Sequence, residues 1–239
     1  MSAIMVASAK GGVGKSSLCV GLGRILSEHN HKTLLIDMDV GVRSLDLLLD
    51  VAEKTVYNWG DVILNNCEPD KALIHITQSL SLLPAPLFVS EEFTAEEMKK
   101  LVELYKQEYE FVILDSPAGI ETGFSLSVGS ADKCIIVSVP DPISIRAASS
   151  ASAIVKKSGI EDIRLVLNRF DKRQHKKVCV DDIIDNVSAR LLGIIPESSD
   201  IALTAIGEEL PYDSKGNLAY LRIAKRLCGE NIPFKIKNI

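Results

Sequence analysis

The 239-residue sequence is poor in aromatic residues, which make up 5% of it and include a single tryptophan. Its five cysteines are odd in number and widely spaced, and none forms a Cys-x-x-Cys pair. This spacing argues against a disulfide framework or a zinc knuckle, and it favours reduced thiols in a cytoplasm. Basic residues are not in excess either, because the formal net charge is -5. That balance argues against a broad nucleic-acid-binding face, so we do not expect DNA as a partner.

Long hydrophobic runs are also missing. No stretch approaches the roughly 18 consecutive apolar residues of a membrane span, and the apolar run at residues 3–9 leaves no room for a signal peptide. The sequence contains no internal repeat, no low-complexity tract and no Pro/Gly/Ser linker. With a hydrophobic content of 46%, these absences predict one folded domain over residues 1–239.

Short apolar runs alternate with amphipathic stretches along the chain. Several runs are apolar throughout, as parallel strands are when helices cover both faces of their sheet. The alternation is typical of βαβ units and predicts an α/β fold, with a mostly parallel central sheet between two layers of helices. The predicted strands are residues 3–9, 33–37, 81–84, 111–115, 133–139, 164–168 and 190–195, and the predicted helices include 16–29, 94–107, 143–158 and 217–229. The last helix has an apolar stripe made of Leu218, Leu221, Ala224, Leu227 and Cys228.

A glycine-rich segment follows the first predicted strand and opens the first predicted helix. Its glycines permit a tight turn whose backbone N–H groups point at phosphate oxygens, and the helix N-terminus adds its positive end. The pattern predicts a P-loop, in which Lys15 reaches the β- and γ-phosphates and Ser16 offers its hydroxyl to Mg²⁺. The predicted nucleotide-binding residues of this segment are Lys10, Gly11, Gly12, Val13, Gly14, Lys15, Ser16 and Ser17.

Two predicted strands end in aspartate. Asp37 ends the strand 33–37 and Asp39 follows it, so the two carboxylates would share one side if the strand continued. Asp115 ends the apolar strand 111–115, which is a Walker B pattern, and it is predicted to contact Mg²⁺ through a coordinated water. Carboxylates at such places hold Mg²⁺ or orient an attacking water.

These segments together resemble the ParA/MinD family of deviant Walker A ATPases. The resemblance rests on the motif Lys-Gly-Gly-Val-Gly-Lys-Ser at 10–16, and on residues 41–46 and 116–121, which favour the MinD branch. It implies a slow ATP hydrolase whose Lys10 reaches across an ATP-bound homodimer to the partner's phosphates, as an arginine finger does. It also implies that Asp39 positions the hydrolytic water. The implied catalytic residues are Lys10, Lys15 and Asp39, and the implied Mg²⁺ residues are Ser16, Asp37 and Asp115.

The same resemblance implies three further ATP-binding residues. Gly119, in the loop after strand 111–115, matches a glycine that senses the γ-phosphate. Asn168 ends the strand 164–168, and an amide that both donates and accepts hydrogen bonds suits the edge of adenine. The family closes its base pocket with an Asn at this place and with a Pro-containing loop after the next strand. That implies roles for Asn168 and Pro196.

The function that the resemblance implies is a Mg²⁺-dependent ATPase acting as an ATP-driven dimerisation switch. It would place the septum in a dividing bacterial cell through a regulatory protein, either an activator or a division inhibitor. Three alternatives stay open: a flagellar-number or polar-placement ATPase, a DNA-partitioning ATPase, and a metal-cluster insertase or reductase. The basic run at 172–177 could touch DNA phosphates. An insertase needs dimer-bridging cysteines, whereas Cys134 is expected to be buried in a strand.

Localisation depends on the end of the chain. In the MinD branch, a short basic amphipathic helix lies on the membrane, and the chain ends at Ile239, about where that helix would begin. Residues 235–239 are too short for a stable interfacial helix. We therefore expect a cytoplasmic protein, and attachment to the inner face of the cell membrane stays open at this point.

Overall fold

The computed structural model describes residues 1–119, 122–171, 179–203 and 210–234. Three of the segments discussed above lie partly or wholly outside the described residues. They are Ile120 and Glu121 of the loop after strand 111–115, the basic run at 172–177, and the C-terminal residues 235–239.

Within the described ranges, the strands form one eight-stranded sheet. In chain order they are β1 (Ser2–Ala7), β2 (Thr33–Asp37), β3 (Ile74–His75), β4 (Leu80–Leu83), β5 (Phe111–Asp115), β6 (Lys133–Ser138), β7 (Asp162–Phe170) and β8 (Arg190–Pro196). Their order across the sheet is β3-β4-β2-β5-β1-β6-β7-β8. All neighbouring strands are parallel except β3 and β4, which are antiparallel. The carboxyl ends of β2, β5 and β1 are therefore side by side at one edge of the sheet.

The helices of the described residues lie between the strands or follow β8. They are α1 (Lys15–Glu28), α2 (Ser44–Leu48), α3 (Trp59–Ile63), α4 (Ala95–Tyr105), α5 (Thr122–Ser130), α6 (Pro142–Lys157), α7 (Val180–Val187), α8 (Ser199–Leu203) and α9 (Lys215–Leu227). Several begin at a side chain that caps them. Thr94 caps α4, Asp141 caps α6 and Ser214 caps α9, each by accepting hydrogen bonds from backbone N–H groups of the first turn. Asp141 is followed by Pro142, which suits the first position of a helix.

Alternate residues of the central strands enter opposite layers of the core. In β1, Ile4 and Val6 pack with residues of α1 and α9, whereas Met5 and Ala7 pack on the other face with residues of α6 and α7. Helix α4 covers β2 and β5 on that second face. Gly193 of β8 lets α9 approach closely, because a Cβ atom there would lie 2.3 Å from the Ile223 side chain. The result is a sheet between two layers of helices.

The predicted α/β fold with a mostly parallel sheet is confirmed. Each predicted strand is present. The ends of β2 and β5 are as predicted, those of the other predicted strands are shifted by at most two residues, and β3 was not predicted. The apolar stripe predicted for the last helix was partly correct. Ala224 is buried, and Leu221 and Leu227 pack partly buried against the core, whereas Cys228 is exposed. The buried side of α9 consists of Ala219, Tyr220, Ile223 and Ala224 together with Gly216, whereas Leu218 and Leu221 are only partly buried. Cys134 is fully buried, as expected.

Candidate active site

The glycine-rich loop has the geometry of a phosphate cradle. It joins β1 to α1, and both Gly12 and Gly14 have left-handed φ values, 74° and 95°. Two features exclude a side chain at Gly14. One is its left-handed backbone, and the other is that a Cβ atom would lie 2.2 Å from the amide nitrogen of Asn168. Lys15 and Ser16 begin α1 immediately after this turn. The loop therefore places a lysine and a hydroxyl at a helix N-terminus, where anions bind.

Two aspartates meet at the carboxyl ends of neighbouring strands. Asp37 of β2 and Asp115 of β5 are paired in the sheet register, and both are almost fully buried. Asp39 does not extend this arrangement as a strand residue, because β2 ends at Asp37. Instead, the backbone N–H of Asp39 donates a hydrogen bond to Asp37 Oδ1 (2.9 Å). The condition for Asp37 and Asp39 to share one side of a strand is therefore not met, since the strand ends before Asp39.

The buried aspartates have raised pKa values. Burial, followed by the charge of Asp115, raises the pKa of Asp37 to about 7. Burial raises the pKa of Asp115 to about 6, although the Ser16 hydroxyl and the Lys15 ammonium oppose this shift. Burial also raises the pKa of Asp39, against the nearby charge of Lys15. Burial is the first cause of all three shifts, so each carboxyl group lies where a negative charge is poorly solvated and a bound cation would stabilise it.

Side-chain oxygen atoms that could bind a cation lie close to these carboxyl groups. The Ser16 hydroxyl lies 3.1 Å from the Ser44 hydroxyl, which lies 3.4 Å from Asp115 Oδ2. Among the described residues, no cluster of three or more His, Cys, Asp or Glu side chains could hold a metal ion by itself. Mg²⁺ does not need one, because it commonly takes one or two carboxylates and completes its shell with phosphates and water. The hydroxyl of Ser16 and the carboxylate of Asp115 fit such an ion, and Mg²⁺ bound there would neutralise phosphate charge.

Asp37 organises the loop beside this site. Both of its carboxylate oxygens accept backbone N–H groups, from Asp39 on one side and from Leu45 at 2.9 Å on the other. Its backbone carbonyl accepts a hydrogen bond from Trp59 Nε1 at 2.8 Å. The Mg²⁺ role predicted for Asp37 stays a prediction, and the observed contacts give it the additional role of fixing the segment that carries Asp39 and Ser44.

Lys10 of the loop is held by the start of α6. Its Nζ atom lies 3.2 Å from Asp141 Oδ2 and donates a hydrogen bond to Ser144 Oγ at 2.9 Å. Asp141 also caps α6, and its pKa is lowered to about 2, first by the hydrogen bond from the Ser144 hydroxyl and then by other contacts that include Lys10. The Lys10 and Asp141 side chains are 40% and 37% exposed. Ion pairs with this much exposure are weak, so this one can be exchanged for another contact.

The remaining predicted residues lie around the loop. Asn168 Nδ2 donates to the carbonyl of Val13 (2.8 Å), which leaves one amide hydrogen for another acceptor. Pro196 ends the adjacent strand β8. The backbone N–H of Gly119 donates to Ser8 O at 3.4 Å, and Gly119 has a left-handed φ of 97°. The adenine and γ-phosphate roles of these residues stay predictions.

A cavity of about 430 Å³ opens beside the glycine-rich loop. Its lining includes Lys10, Gly11, Asp141, Arg169 and Glu197. It connects the loop with the carboxyl ends of β6, β7 and β8. This is the place where ligands bind in open parallel sheets, outside the carboxyl ends of the strands.

A family model for the CobQ/CobB/MinD/ParA nucleotide-binding domain matches residues 4–211, which include all of the candidate site residues. The chain belongs to this family. The predicted ParA/MinD membership is therefore confirmed, and with it the assignment as a P-loop ATPase.

Within the family, the chain is similar to MinD proteins over nearly its whole length. It is 38% identical to the septum site-determining protein MinD of Synechocystis sp., over 97% of this chain and 91% of that protein. It is 33% identical to the MinD of Bacillus subtilis, over 98% of this chain and 91% of that protein. A solved MinC:MinD cell division protein complex from Aquifex aeolicus superposes with a TM-score of 0.90 at 34% identity, covering 98% of each chain.

Three residues of the site were missed by sequence reasoning. Ser44, Asp141 and Ser144 contact predicted residues, but their partners are 28 to 134 positions away in the sequence. For Ser44 the available signal was its place in the segment 41–46, which resembles the first switch of the family. Asp141 and Ser144 had only the signature of a helix start, Asp-Pro followed by a serine.

Proposed function

We propose that the protein is a Mg²⁺-dependent ATPase that dimerises face to face when it binds ATP, and that this switch regulates the position of cell division in a bacterium. The chain's membership of the ParA/MinD family and its similarity to MinD proteins support the cellular role. The solved relative is a complex of MinC with MinD, and this supports a regulatory protein as the partner.

The placement of Lys10 is the observation that carries the dimerisation switch. A lysine that lies in a phosphate loop is expected to face phosphate. In the single chain, its ammonium group instead contacts Asp141 and Ser144. Because that ion pair is substantially exposed, the ammonium is free to leave it for a stronger, more desolvated anion. The phosphates of an ATP held by a second copy of the chain are such an anion.

The chemistry is phosphoryl transfer to water. Lys15 would neutralise charge on the β- and γ-phosphates, and Ser16 and Asp115 would hold Mg²⁺, which supplies further charge neutralisation when bound. Asp39 would orient the attacking water with a carboxylate whose pKa is raised by burial. The partner's copy of Lys10 would complete the site, so an isolated chain would hydrolyse ATP slowly.

Localisation follows from the proposed role. We place the protein in the cytoplasm, where the proposed role in cell division would be carried out. No helix of the described residues is long and apolar enough to cross a membrane.

The dependence of turnover on protein concentration tests the ATPase part of the proposal. If the active species is a dimer, turnover per chain rises with protein concentration and reaches a plateau, and it is abolished by EDTA. Turnover per chain that is constant over a hundredfold range of concentration would contradict the proposal. Lys15→Ala is the control for contaminating ATPases, since it removes the phosphate-binding lysine.

The cellular part needs a separate measurement. In cells of the source bacterium that lack the gene, septa should form near the poles and produce small cells without chromosomes. Normal septum positions, with a changed number or position of flagella instead, would favour the polar-placement alternative.

A further inference from the structure

The hydroxyl group of Ser44 lies between two residues of the candidate Mg²⁺ site. Ser44 is the first residue of α2, and its Oγ atom lies 3.1 Å from Ser16 Oγ and 3.4 Å from Asp115 Oδ2. Ser16 belongs to the P-loop and Asp115 to β5. A single side chain therefore joins the segment after β2 to both of the other segments that form the site.

The backbone holds Ser44 in this position. The next residue, Leu45, donates its N–H to Asp37 Oδ2 at 2.9 Å. The preceding residue, Arg43, has a left-handed φ of 53°, and its guanidinium forms an ion pair with Asp46. The start of α2 is thus fixed on both sides of Ser44, and no side chain caps this helix. The contacts of α2 with the candidate Mg²⁺ site are made by the Ser44 hydroxyl and by the hydrogen bond between Leu45 and Asp37.

Hydrogen-bond chemistry gives these contacts a direction. A hydroxyl has one proton and two lone pairs. When Ser16 is a cation ligand through its oxygen, its proton must point away from the cation, and it needs an acceptor. Ser44 Oγ is an acceptor within reach at 3.1 Å. The proton of Ser44 is then available to Asp115 Oδ2, so the order of donation is from Ser16 to Ser44 to Asp115.

We propose that Ser44 is a positioning residue that couples occupation of the Mg²⁺ site to the position of α2. This inference rests on the proposed function, because it assumes that a Mg²⁺-nucleotide binds at the P-loop. With the cation in place, both hydrogen bonds of Ser44 have a fixed direction, and α2 is drawn onto the site. Without the cation, either hydroxyl of the Ser16–Ser44 pair can be the donor, and this restraint on α2 is weaker.

The only tryptophan in the sequence provides a probe of this coupling. Trp59 is buried, and its Nε1 donates to the carbonyl of Asp37, the residue that also accepts the N–H of Leu45. Its emission therefore reports on the segment that carries α2. The experiment is to saturate the full chain with ADP, titrate Mg²⁺ and record the emission of Trp59. Hydrogen exchange of residues 44–49, with and without Mg²⁺, gives a second readout.

The variants are Ser44→Ala, which removes the hydroxyl, and Ser44→Thr, which keeps it. Ser27→Ala is the matched control, because Ser27 also bonds another hydroxyl, that of Thr77 at 3.0 Å, near the far end of α1. We expect Ser44→Ala to raise the half-saturating Mg²⁺ concentration by about three- to tenfold, the size expected for losing one or two neutral hydrogen bonds. ADP affinity in EDTA should not change. Ser44→Thr and Ser27→Ala should behave like the wild type, and Mg²⁺ should protect residues 44–49 less in Ser44→Ala.

Two results would overturn the inference. The first is an unchanged Mg²⁺ titration in Ser44→Ala. The second is equal weakening of ADP binding with and without Mg²⁺, which would show that Ser44 only supports the fold of the loop. If the wild type binds no nucleotide at all, the proposed function fails, and that outcome is recognised before any variant is compared.

Discussion

The ammonium group of Lys10 lies 3.2 Å from a carboxylate oxygen of Asp141, a residue 131 positions later in the sequence. The pair connects the phosphate loop to the first turn of α6. It holds Lys10 by a substantially exposed contact that costs little to break. A lysine stored in this way is available to a second copy of the chain, and this is the structural basis for the proposed switch.

Removing the Lys10 side chain should slow ATP hydrolysis while it leaves ATP affinity almost unchanged. In Lys10→Ala, ATP should bind with nearly wild-type affinity, because Lys15 and the loop backbone remain. The turnover of the dimer should fall by at least about a hundredfold, since a charge supplied in trans contributes roughly 10³–10⁵ in related phosphoryl transfers. Steady-state hydrolysis and equilibrium binding of a fluorescent ATP analogue measure the two effects.

The control for Lys10→Ala is Lys100→Ala, which removes an exposed lysine paired with Glu96 and Glu97 on α4. It should leave both quantities unchanged. Wild-type turnover in Lys10→Ala would remove the trans role of this lysine from the mechanism.

Neutralising Asp141 should favour the dimer. Asp141→Asn keeps a side-chain oxygen that can cap α6, while it removes the charge that holds Lys10. We expect the ATP-dependent dimer to form about two- to thirtyfold more tightly, because each of its two chains gives up one exposed ion pair, which contributes roughly 0.2–1 kcal/mol. Sedimentation velocity over a range of protein concentrations gives the dissociation constant. A weaker dimer would mean that Asp141 itself contributes to the interface.

The buried aspartates predict an unusual dependence of stability on pH in EDTA. The pKa of Asp37 rises from 3.8 to about 7 on folding, and that of Asp115 rises from 3.8 to about 6. Between these values the folded protein binds more protons than the unfolded chain, so the free energy of unfolding decreases as the pH rises from about 4 to 7. Asp115→Asn should flatten this slope by removing one acid and the repulsion that it exerts on Asp37.

Urea unfolding at pH 5.5 and at pH 7.5 measures this slope. Asp141→Asn is the control, since the pKa of Asp141 is lowered to about 2. Its contribution to stability is present above the unfolded value of 3.8 and is lost only as the pH falls towards 2, so it leaves the slope between pH 5.5 and 7.5 unchanged. A wild type that is more stable at pH 7.5 than at pH 5.5 would contradict the raised pKa values.

Gly14 should not tolerate a side chain. Gly14→Ala places a Cβ atom on a residue with φ of 95° and against the amide of Asn168. We expect nucleotide affinity to fall at least about fivefold, because strain at one such residue costs about 1–3 kcal/mol and is relieved by moving the loop. Gly159→Ala, at another left-handed glycine with open space around it, is the control for stability alone. Isothermal titration with Mg²⁺-ADP measures the nucleotide affinity of both variants.

Local sequence patterns predicted the elements whose structure depends mainly on residues close to one another in the chain. Strands β2 and β5 are continuous apolar runs that end in aspartate, and both were predicted with their observed ends. The glycines of the loop fixed the position of the turn before α1. The short strand β3 was not predicted, because two residues carry no periodic pattern.

Contacts between distant segments were the part that the sequence did not reveal. Nothing in the residues around Lys10 indicates Asp141 as its partner, since the pairing depends on the order of β1 and β6 in the sheet. The stripe predicted on α9 was partly misplaced for a related reason. Gly193 and Gly21 let Ile223 and Tyr220 approach the sheet and α1, and this selects which side of the helix is buried.

The most direct test of the central claim is the mass of Asp39→Ala in solution, measured by light scattering after gel filtration in ATP and in ADP. This variant lacks the carboxylate proposed to orient water, so bound ATP should persist. We predict a mass of twice the 26.0 kDa of one chain in ATP and Mg²⁺, and a single chain in ADP. A single chain in both nucleotides, at concentrations where ATP binding is saturated, would contradict the dimerisation switch.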